Sequence, residues 1–181
     1  MSNNGKISDI IHNMKYLYYL IIFLRILSAP LILIWPTTAI ILSFSLDVID
    51  ADFAHYVVSK KQYQIIDKAL DFWVFLYEMI LAWQLFPVFR NFLLFLFLWR
   101  MIGTLIFYFT GERKLFLIFA NYFENAFFVI FFRNYIPKIN LYFLIGISFI
   151  IKLFQEWFIH VADLSVREDI LKSKRKWRNY V

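Results

Sequence analysis

The sequence lacks cysteine entirely and is poor in glycine and proline. Without cysteine, neither disulfide bonds nor thiolate metal sites are available. The 181 residues include only 4 glycines and 4 prolines against 23 phenylalanines, and 62% of the chain is hydrophobic, well above the usual share in globular proteins. Apolar runs of about twenty residues recur along the chain, as expected of segments that cross a bilayer about 30 Å thick. The composition therefore predicts an integral membrane protein.

The charged residues are mostly basic, and the net charge is +6. The lysines and arginines collect in short connecting segments and in the run KSKRKWR near the C-terminus. In an apolar chain such clusters set the topology and contact anionic lipid headgroups. We therefore expect membrane lipids as partners and no nucleic acid.

Six apolar segments of bilayer-crossing length follow a short amphipathic one. Residues 1–15 carry apolar side chains at helical spacing, which predicts an interfacial amphipathic helix. The apolar run that starts at Tyr16 is too long for one span, and Pro36 marks its break. We predict an all-α integral membrane protein with a single membrane domain, residues 1–181, that ends in a basic cytoplasmic tail at 164–181. Its six transmembrane helices are expected at about residues 16–35, 38–58, 64–85, 88–109, 115–133 and 141–163.

The distribution of positive charge orients these spans. If both termini lie in the cytoplasm, the loop residues on the opposite side include only three positive ones, Arg90, Arg133 and Lys138. The excess of lysine and arginine on one side predicts that this side is cytoplasmic. We expect the cell (inner) membrane as the location. The basic loop SKKQYQ is then cytoplasmic, and the acidic residues that flank it lie in the cytoplasmic halves of the second and third spans.

Residues 47–71, DVIDADFAHYVVSKKQYQIIDKALD, place five aspartates in this apolar chain. An aspartate inside a membrane costs about 2.5–3.5 kcal/mol on insertion scales, so such residues are functional unless they reach the interface. At 100° per residue, Asp47 and Asp50 share a sector about 60° wide, and Asp67 and Asp71 are about 40° apart on the next helix. Asp52 points about 140° away from Asp47. The spacing therefore predicts that four carboxylates converge across a helical hairpin without Asp52.

Four convergent carboxylates require cations between them. Oxygen ligands alone favour hard ions such as Mg²⁺, Mn²⁺ or Ca²⁺. Two such ions about 4 Å apart can hold a diphosphate and activate an attacking oxygen. Two other interpretations remain open. The aspartates can reach the interface or pair with Lys60, Lys61 and Lys68, or they can belong to a divalent-cation transporter, although the third span offers no polar route beyond Glu78.

The register of these residues resembles the signature of the CDP-alcohol phosphatidyltransferases, Asp-x2-Asp-Gly-x2-Ala-Arg, then seven or eight residues, then Gly-x3-Asp-x3-Asp. The residues in register are Asp47, Asp50, Ala51, Ala54, His55, Tyr63, Asp67 and Asp71. All four aspartates and the alanine match, whereas Ala51, His55 and Tyr63 stand where the family has glycine, arginine and glycine. Upstream, Arg25 and Pro30 are similar to the Arg-x4-Pro pattern of the family's first span.

The resemblance implies a six-span enzyme of phospholipid synthesis. It transfers a phosphatidyl group from a CDP-lipid such as CDP-diacylglycerol to a small alcohol and releases CMP. Two divalent ions, Mg²⁺ or Mn²⁺, would be held by Asp47, Asp50, Asp67 and Asp71. Asp71 would also be the catalytic general base, and the nucleotide-binding residues would be Asp50, Ala51, Ala54 and His55. The short chain is most similar to the phosphatidylglycerophosphate synthase branch, and a second copy of the chain is a candidate partner.

The departures from the signature leave a second expectation, a catalytically altered or inactive relative of the same fold. His55 removes the permanent charge of an arginine, and Tyr63 puts a bulky ring in place of a glycine. Farther along the chain, Arg100 is a candidate for binding a phosphate group of the acceptor alcohol, and a structural ion pair between Arg100 and Glu124 is the alternative. Lys152 and Glu156 are expected to pair on the sixth span.

Overall fold

The computed structural model describes residues 3–135, 137–160 and 162. These residues are mostly helical, and they contain no β-strand. The predicted basic tail at 164–181 lies outside the described residues. Seven α-helices and one 3-10 helix follow in order: α1 Asn3–Leu31, α2 Pro36–Ala54, α3 Lys60–Leu85, α4 Arg90–Thr110, α5 Leu115–Ile118, α6 Tyr122–Phe131, the 3-10 helix Phe132–Tyr135 and α7 Leu141–His160.

Within the described ranges, four helical segments are long and apolar enough to cross a membrane. They are His12–Leu31, Arg90–Thr110, Leu115–Tyr135 and Leu141–Ile159, and they coincide with four of the six predicted spans. The all-helical prediction is therefore confirmed for the described residues, and the four apolar helices are consistent with a membrane protein. The other two predicted spans correspond to α2 and α3, which carry the aspartates, and their crossing of the membrane stays a prediction.

The N-terminal region is one continuous helix. The sequence pattern predicts an interfacial helix at residues 1–15 that is separate from the first span, but α1 runs without a break from Asn3 to Leu31. The amphipathic interfacial segment stays a prediction. The break predicted at Pro36 is present, because α1 ends at Leu31 and Pro36 is the first residue of α2. Proline fits the first turn of a helix, where its missing N–H has no partner to lose.

The described chain divides into two compact units, residues 3–77 and residues 78–162, with the boundary inside α3. In the first unit α1 packs against α2, and the Trp73 indole N–H donates a 3.0 Å hydrogen bond to the carbonyl of Ile26, which ties α3 to α1. The predicted single membrane domain is not tested by this division. The first unit carries all the aspartates of residues 47–71.

In the second unit α4 packs against α5 and α6, and α7 packs against the same two helices. The segment between α5 and α6 is not helical, because α5 ends at Ile118 and α6 begins at Tyr122. Asn121 caps α6: its side chain accepts a hydrogen bond from the Glu124 backbone N–H and donates one to the Glu124 carboxylate. This arrangement satisfies a backbone donor at the helix start. The predicted fifth span is thus a broken helix.

Candidate metal centre

Arg25 of α1 contacts all four predicted aspartates. Its side chain is only 1% exposed. Nη2 lies 2.7 Å from Oδ1 of Asp47 and 3.1 Å from Oδ1 of Asp71. Nη1 bonds Oδ2 of Asp50 and lies 3.5 Å from Oδ1 of Asp67. A buried guanidinium is stable only where carboxylates surround it, so α1 supplies the charge that brings α2 and α3 together.

Lys68 is a second cation within the same cluster. Its Nζ lies 2.7 Å from Oδ2 of Asp67 and 2.7 Å from Oδ2 of Asp71. Asp71 is one helical turn from Lys68, so both carboxylates and the ammonium share one side of α3. Four carboxylates against one guanidinium and one ammonium leave a net charge of −2.

Asp50 differs from the other three aspartates because its side chain is fully buried and one of its partners is a neutral hydroxyl. Its Oδ2 accepts from Arg25, and its Oδ1 accepts a 2.7 Å hydrogen bond from the Tyr63 hydroxyl. Tyr63, which stands where the resembling family has a glycine, therefore fills the space next to this carboxylate with its ring and binds it.

Asp47, Asp67 and Asp71 form a group that can hold a metal ion. Each can offer one oxygen, and these oxygens lie within 4.8 Å of one another. The side chain of Asp47 is 44% exposed, so the group is open to solvent on that side. The donors fit a hard divalent cation such as Mg²⁺ or Mn²⁺, although Arg25 and Lys68 contact the same carboxylates. Asp52 is not in the group, as its helical angle predicts.

Most of the predicted nucleotide-binding residues pack against other side chains of the first unit. Ala54 is fully buried in a small apolar cluster with Tyr18 and Val57, and the Tyr63 ring packs against that cluster. Ala51 is also buried. His55 is half-buried, with its Nδ1 3.4 Å from the carbonyl oxygen of Ala51. A nucleotide at these positions requires a shift of tyrosine side chains.

Two buried polar atoms on α1 have no hydrogen-bond partner among the described residues. They are the Tyr18 hydroxyl and Nε of Arg25. Both side chains are 1% exposed. Buried polar groups are normally satisfied, so unpaired ones call for a specific explanation. Each of these atoms can donate a hydrogen bond to an oxygen of a bound ligand.

Arg100 lies in the second unit and contacts the break between α5 and α6. Its Nη1 donates a 2.9 Å hydrogen bond to the carbonyl of Phe119. Its guanidinium carbon lies 4.4 Å from the centre of the Phe116 ring. Its Nε is buried without a hydrogen-bond partner among the described residues. The guanidinium thus bonds the backbone of a neighbouring segment, and binding of an acceptor phosphate by Arg100 stays a prediction.

Other polar residues named in the sequence lie outside the cluster around Arg25. Lys152 and Glu156 pair at 3.4 Å on α7, as their spacing predicts. Glu78 on α3 is buried. All three residues lie in the second unit, whereas the cluster lies in the first.

The sequence pattern identifies the aspartates but not their protein partners. The sequence analysis names Arg25 only as part of the Arg-x4-Pro pattern. An arginine within an apolar helix is itself a signal of a buried acidic partner. Lys68 is named only in the alternative in which lysines pair with the aspartates. Tyr63 is named only because it replaces a glycine of the signature, and nothing in the sequence indicates that its hydroxyl binds Asp50.

No protein-family model, curated protein or solved structure matches this chain. The interpretation of the cluster therefore rests on its own contacts and on the register of residues 47–71.

Proposed function

We propose that the protein transfers a phosphatidyl group from a CDP-lipid, such as CDP-diacylglycerol, to a small alcohol and releases CMP. The proposal rests on one observation: four aspartates from α2 and α3 contact one buried arginine, Arg25. Three of them, Asp47, Asp67 and Asp71, bring oxygens within 4.8 Å of one another. Carboxylates gathered in this way attract the hard cations that bind diphosphates.

The chemistry requires charge neutralisation and a base. Divalent ions, when bound, spread the negative charge that develops on the diphosphate. The acceptor hydroxyl oxygen forms a bond to the β-phosphorus, and the bond between that phosphorus and the oxygen of CMP breaks. CMP leaves with the electron pair, and Asp71 accepts the proton of the hydroxyl. A base placed in this way contributes roughly 10²–10⁴-fold to the rate.

Residues of this chain orient the reacting groups. Nη2 of Arg25 lies 2.7 Å from Oδ1 of Asp47 and 3.1 Å from Oδ1 of Asp71, so one nitrogen of the guanidinium holds both carboxylates. Asp50, Ala51, Ala54 and His55 would bind the cytidine diphosphate after movement of Tyr63. Arg100, which belongs to the second unit, is the residue that the sequence offers for binding a phosphate on the acceptor alcohol. A phosphorylated acceptor is the substrate type of the phosphatidylglycerophosphate synthase branch.

The proposed setting is the cell (inner) membrane, with α2 and α3 as the second and third of six spans. Both termini and the acidic cluster then lie on the cytoplasmic side. The apolar helices described above support a membrane location. The charge distribution supports the orientation.

A catalytically altered or inactive relative of the same fold is the second candidate. The tyrosines favour it, because Tyr63 binds Asp50 and Tyr18 covers Ala54 at the positions proposed for the nucleotide. A chain of this kind would keep the cluster as an internal ion-pair network. The two candidates differ in whether CMP is released.

Release of CMP tests the proposal. Purified protein in detergent is supplied with CDP-diacylglycerol, Mg²⁺ or Mn²⁺, and a panel of phosphorylated and unphosphorylated alcohols. We expect CMP release that depends on the alcohol and on the metal, and that Asp71→Asn abolishes. Asp52→Asn, on α2 but outside the group, is the matched control and should retain activity. Absence of CMP with every acceptor would favour the inactive relative.

A further inference from the structure

Lys68 places a positive charge between two of the carboxylates proposed to bind metal. We propose that the Lys68 ammonium takes the place of one of two divalent cations, so that the cluster binds a single divalent ion. The inference rests on the proposed function only in treating the aspartates as metal ligands. It concerns how many ions they hold.

The contacts of Lys68 are those of a cation at a metal position. Its Nζ is 2.7 Å from one oxygen of Asp67 and 2.7 Å from one oxygen of Asp71. Two divalent ions about 4 Å apart share bridging carboxylates of this kind. An ammonium that bridges the same two carboxylates leaves them fewer free oxygens for a second ion.

The charge balance of the cluster also favours one bound divalent ion. Before any anionic ligand binds, four ionised carboxylates with Arg25 and Lys68 carry a formal net charge of −2, which one divalent cation neutralises. A second divalent cation would leave an excess of +2 in a largely buried cluster. Uncompensated charge of either sign is costly away from water.

Lys68 also occupies oxygens that a second ion would need, because its Nζ contacts one oxygen each of Asp67 and Asp71. The metal-binding group consists of Asp47, Asp67 and Asp71. Asp50 lies outside it, fully buried and bonded through one oxygen by Arg25 and through the other by Tyr63. Three carboxylates with water complete the oxygen shell of one Mg²⁺ or Mn²⁺, whereas two ions together require about twice as many oxygens. The Asp50 oxygens would become available only after loss of these protein contacts.

One unpaired atom of α1 lies at the same cluster. Nε of Arg25 belongs to the side chain that contacts all four carboxylates, and it is a buried donor without a partner among the described residues. Such a donor does not bind a cation through its hydrogen, but it can bind an anionic oxygen of a ligand, such as an oxygen of a phosphate group. The arginine that gathers the carboxylates therefore also offers a donor to an anionic ligand.

The number of bound ions tests the proposal. The full chain is purified in detergent, stripped of metal with a chelator and dialysed to equilibrium against Mn²⁺, and bound manganese per chain is measured by elemental analysis. We expect one Mn²⁺ per wild-type chain and two per chain in Lys68→Gln. Lys68→Arg, which keeps the charge, should bind one. Lys61→Gln, which removes an exposed lysine of the same helix, is the matched control and should also bind one.

The wild-type count is decisive even if Lys68→Gln does not fold. Two ions or none per wild-type chain would overturn the proposal, and so would one ion per chain in folded Lys68→Gln. Release of CMP is measured separately on the same preparations. A chain that binds one ion without releasing CMP contradicts the proposed function alone, whereas a chain that releases CMP with two ions bound contradicts this inference alone.

Discussion

The hydroxyl of Tyr63 donates a 2.7 Å hydrogen bond to Oδ1 of Asp50, the one fully buried carboxylate of the cluster. The second oxygen of Asp50 is bonded by Arg25. Asp50 is therefore held by an arginine of α1 and a tyrosine of α3, and it acts as an anchor between α2 and these two helices. Its three neighbours at Asp47, Asp67 and Asp71 retain the geometry of a metal-binding group.

Removal of this hydroxyl should weaken the first unit. Tyr63→Phe keeps the ring packed against Ala54 but leaves Oδ1 of Asp50 buried without its donor. We expect a loss of about 1–3 kcal/mol in the free energy of unfolding, the usual cost of an unsatisfied buried group, seen as a lower melting temperature in detergent. Tyr56→Phe, at an exposed position in the same region, is the control. Equal melting temperatures for the two variants would contradict the anchoring role.

Arg25 should be required for stability when no divalent ion is present. Arg25→Met leaves four carboxylates without their common countercharge, and breaking a buried ion pair in this way costs about 3–5 kcal/mol. We expect a large fall in melting temperature in the presence of a chelator. Added Mg²⁺ or Mn²⁺ should restore part of the loss, because the cation replaces some of the missing charge.

Arg113→Met is the control for Arg25→Met. Arg113 lies in the segment between α4 and α5, in the second unit, whereas the aspartate cluster belongs to the first. Its loss should change the melting temperature little, with or without metal. A metal-dependent recovery in Arg25→Met but not in Arg113→Met supports the countercharge role. If Mg²⁺ had the same effect on both variants, that role would be wrong.

Helical geometry allows the grouping of the aspartates to be predicted from the sequence. The 100° rotation per residue puts Asp47 and Asp50 on one face of α2, separates Asp52 from them and puts Asp67 near Asp71 on α3. Such predictions depend only on residues of one helix. The contacts of Arg25 join α1 to α2 and α3, and the periodicity of a single helix carries no information about which helix packs next to it.

The break between α5 and α6, in the second unit, also could not be predicted from the sequence of one segment. The residues from Leu115 to Tyr135 are apolar enough throughout to predict one span. The backbone groups that the break exposes are bonded from α4, where Trp99 donates to the carbonyl of Ile118 and Arg100 to that of Phe119. Hydropathy measures apolar content and does not reveal donors supplied by another helix.

Arg100 should therefore matter for stability whether or not it binds a substrate phosphate. Arg100→Met removes the donor to the Phe119 carbonyl and the contact with the Phe116 ring, and we expect a loss of about 1–3 kcal/mol, measured as a fall in melting temperature. Arg100→Lys keeps a positive charge. If Arg100 also binds the acceptor, folded Arg100→Lys should raise the KM for phosphorylated alcohols more than for unphosphorylated ones. An equal change for both acceptors would contradict the phosphate-binding prediction.

Gly103 permits the close approach of α4 to the segment between α5 and α6. A Cβ at this position would overlap the Cβ of Phe119, so the backbone would have to move. Gly103→Ala should therefore destabilise the protein by about 1–3 kcal/mol, the usual cost of overpacking. Gly146→Ala is the matched control, because a Cβ there meets nothing within 4 Å and alanine favours a helix by about 0.8–1.0 kcal/mol over glycine. Melting temperatures should move in opposite directions, and a shift of the same sign in both variants would show that the contact with Phe119 is not close.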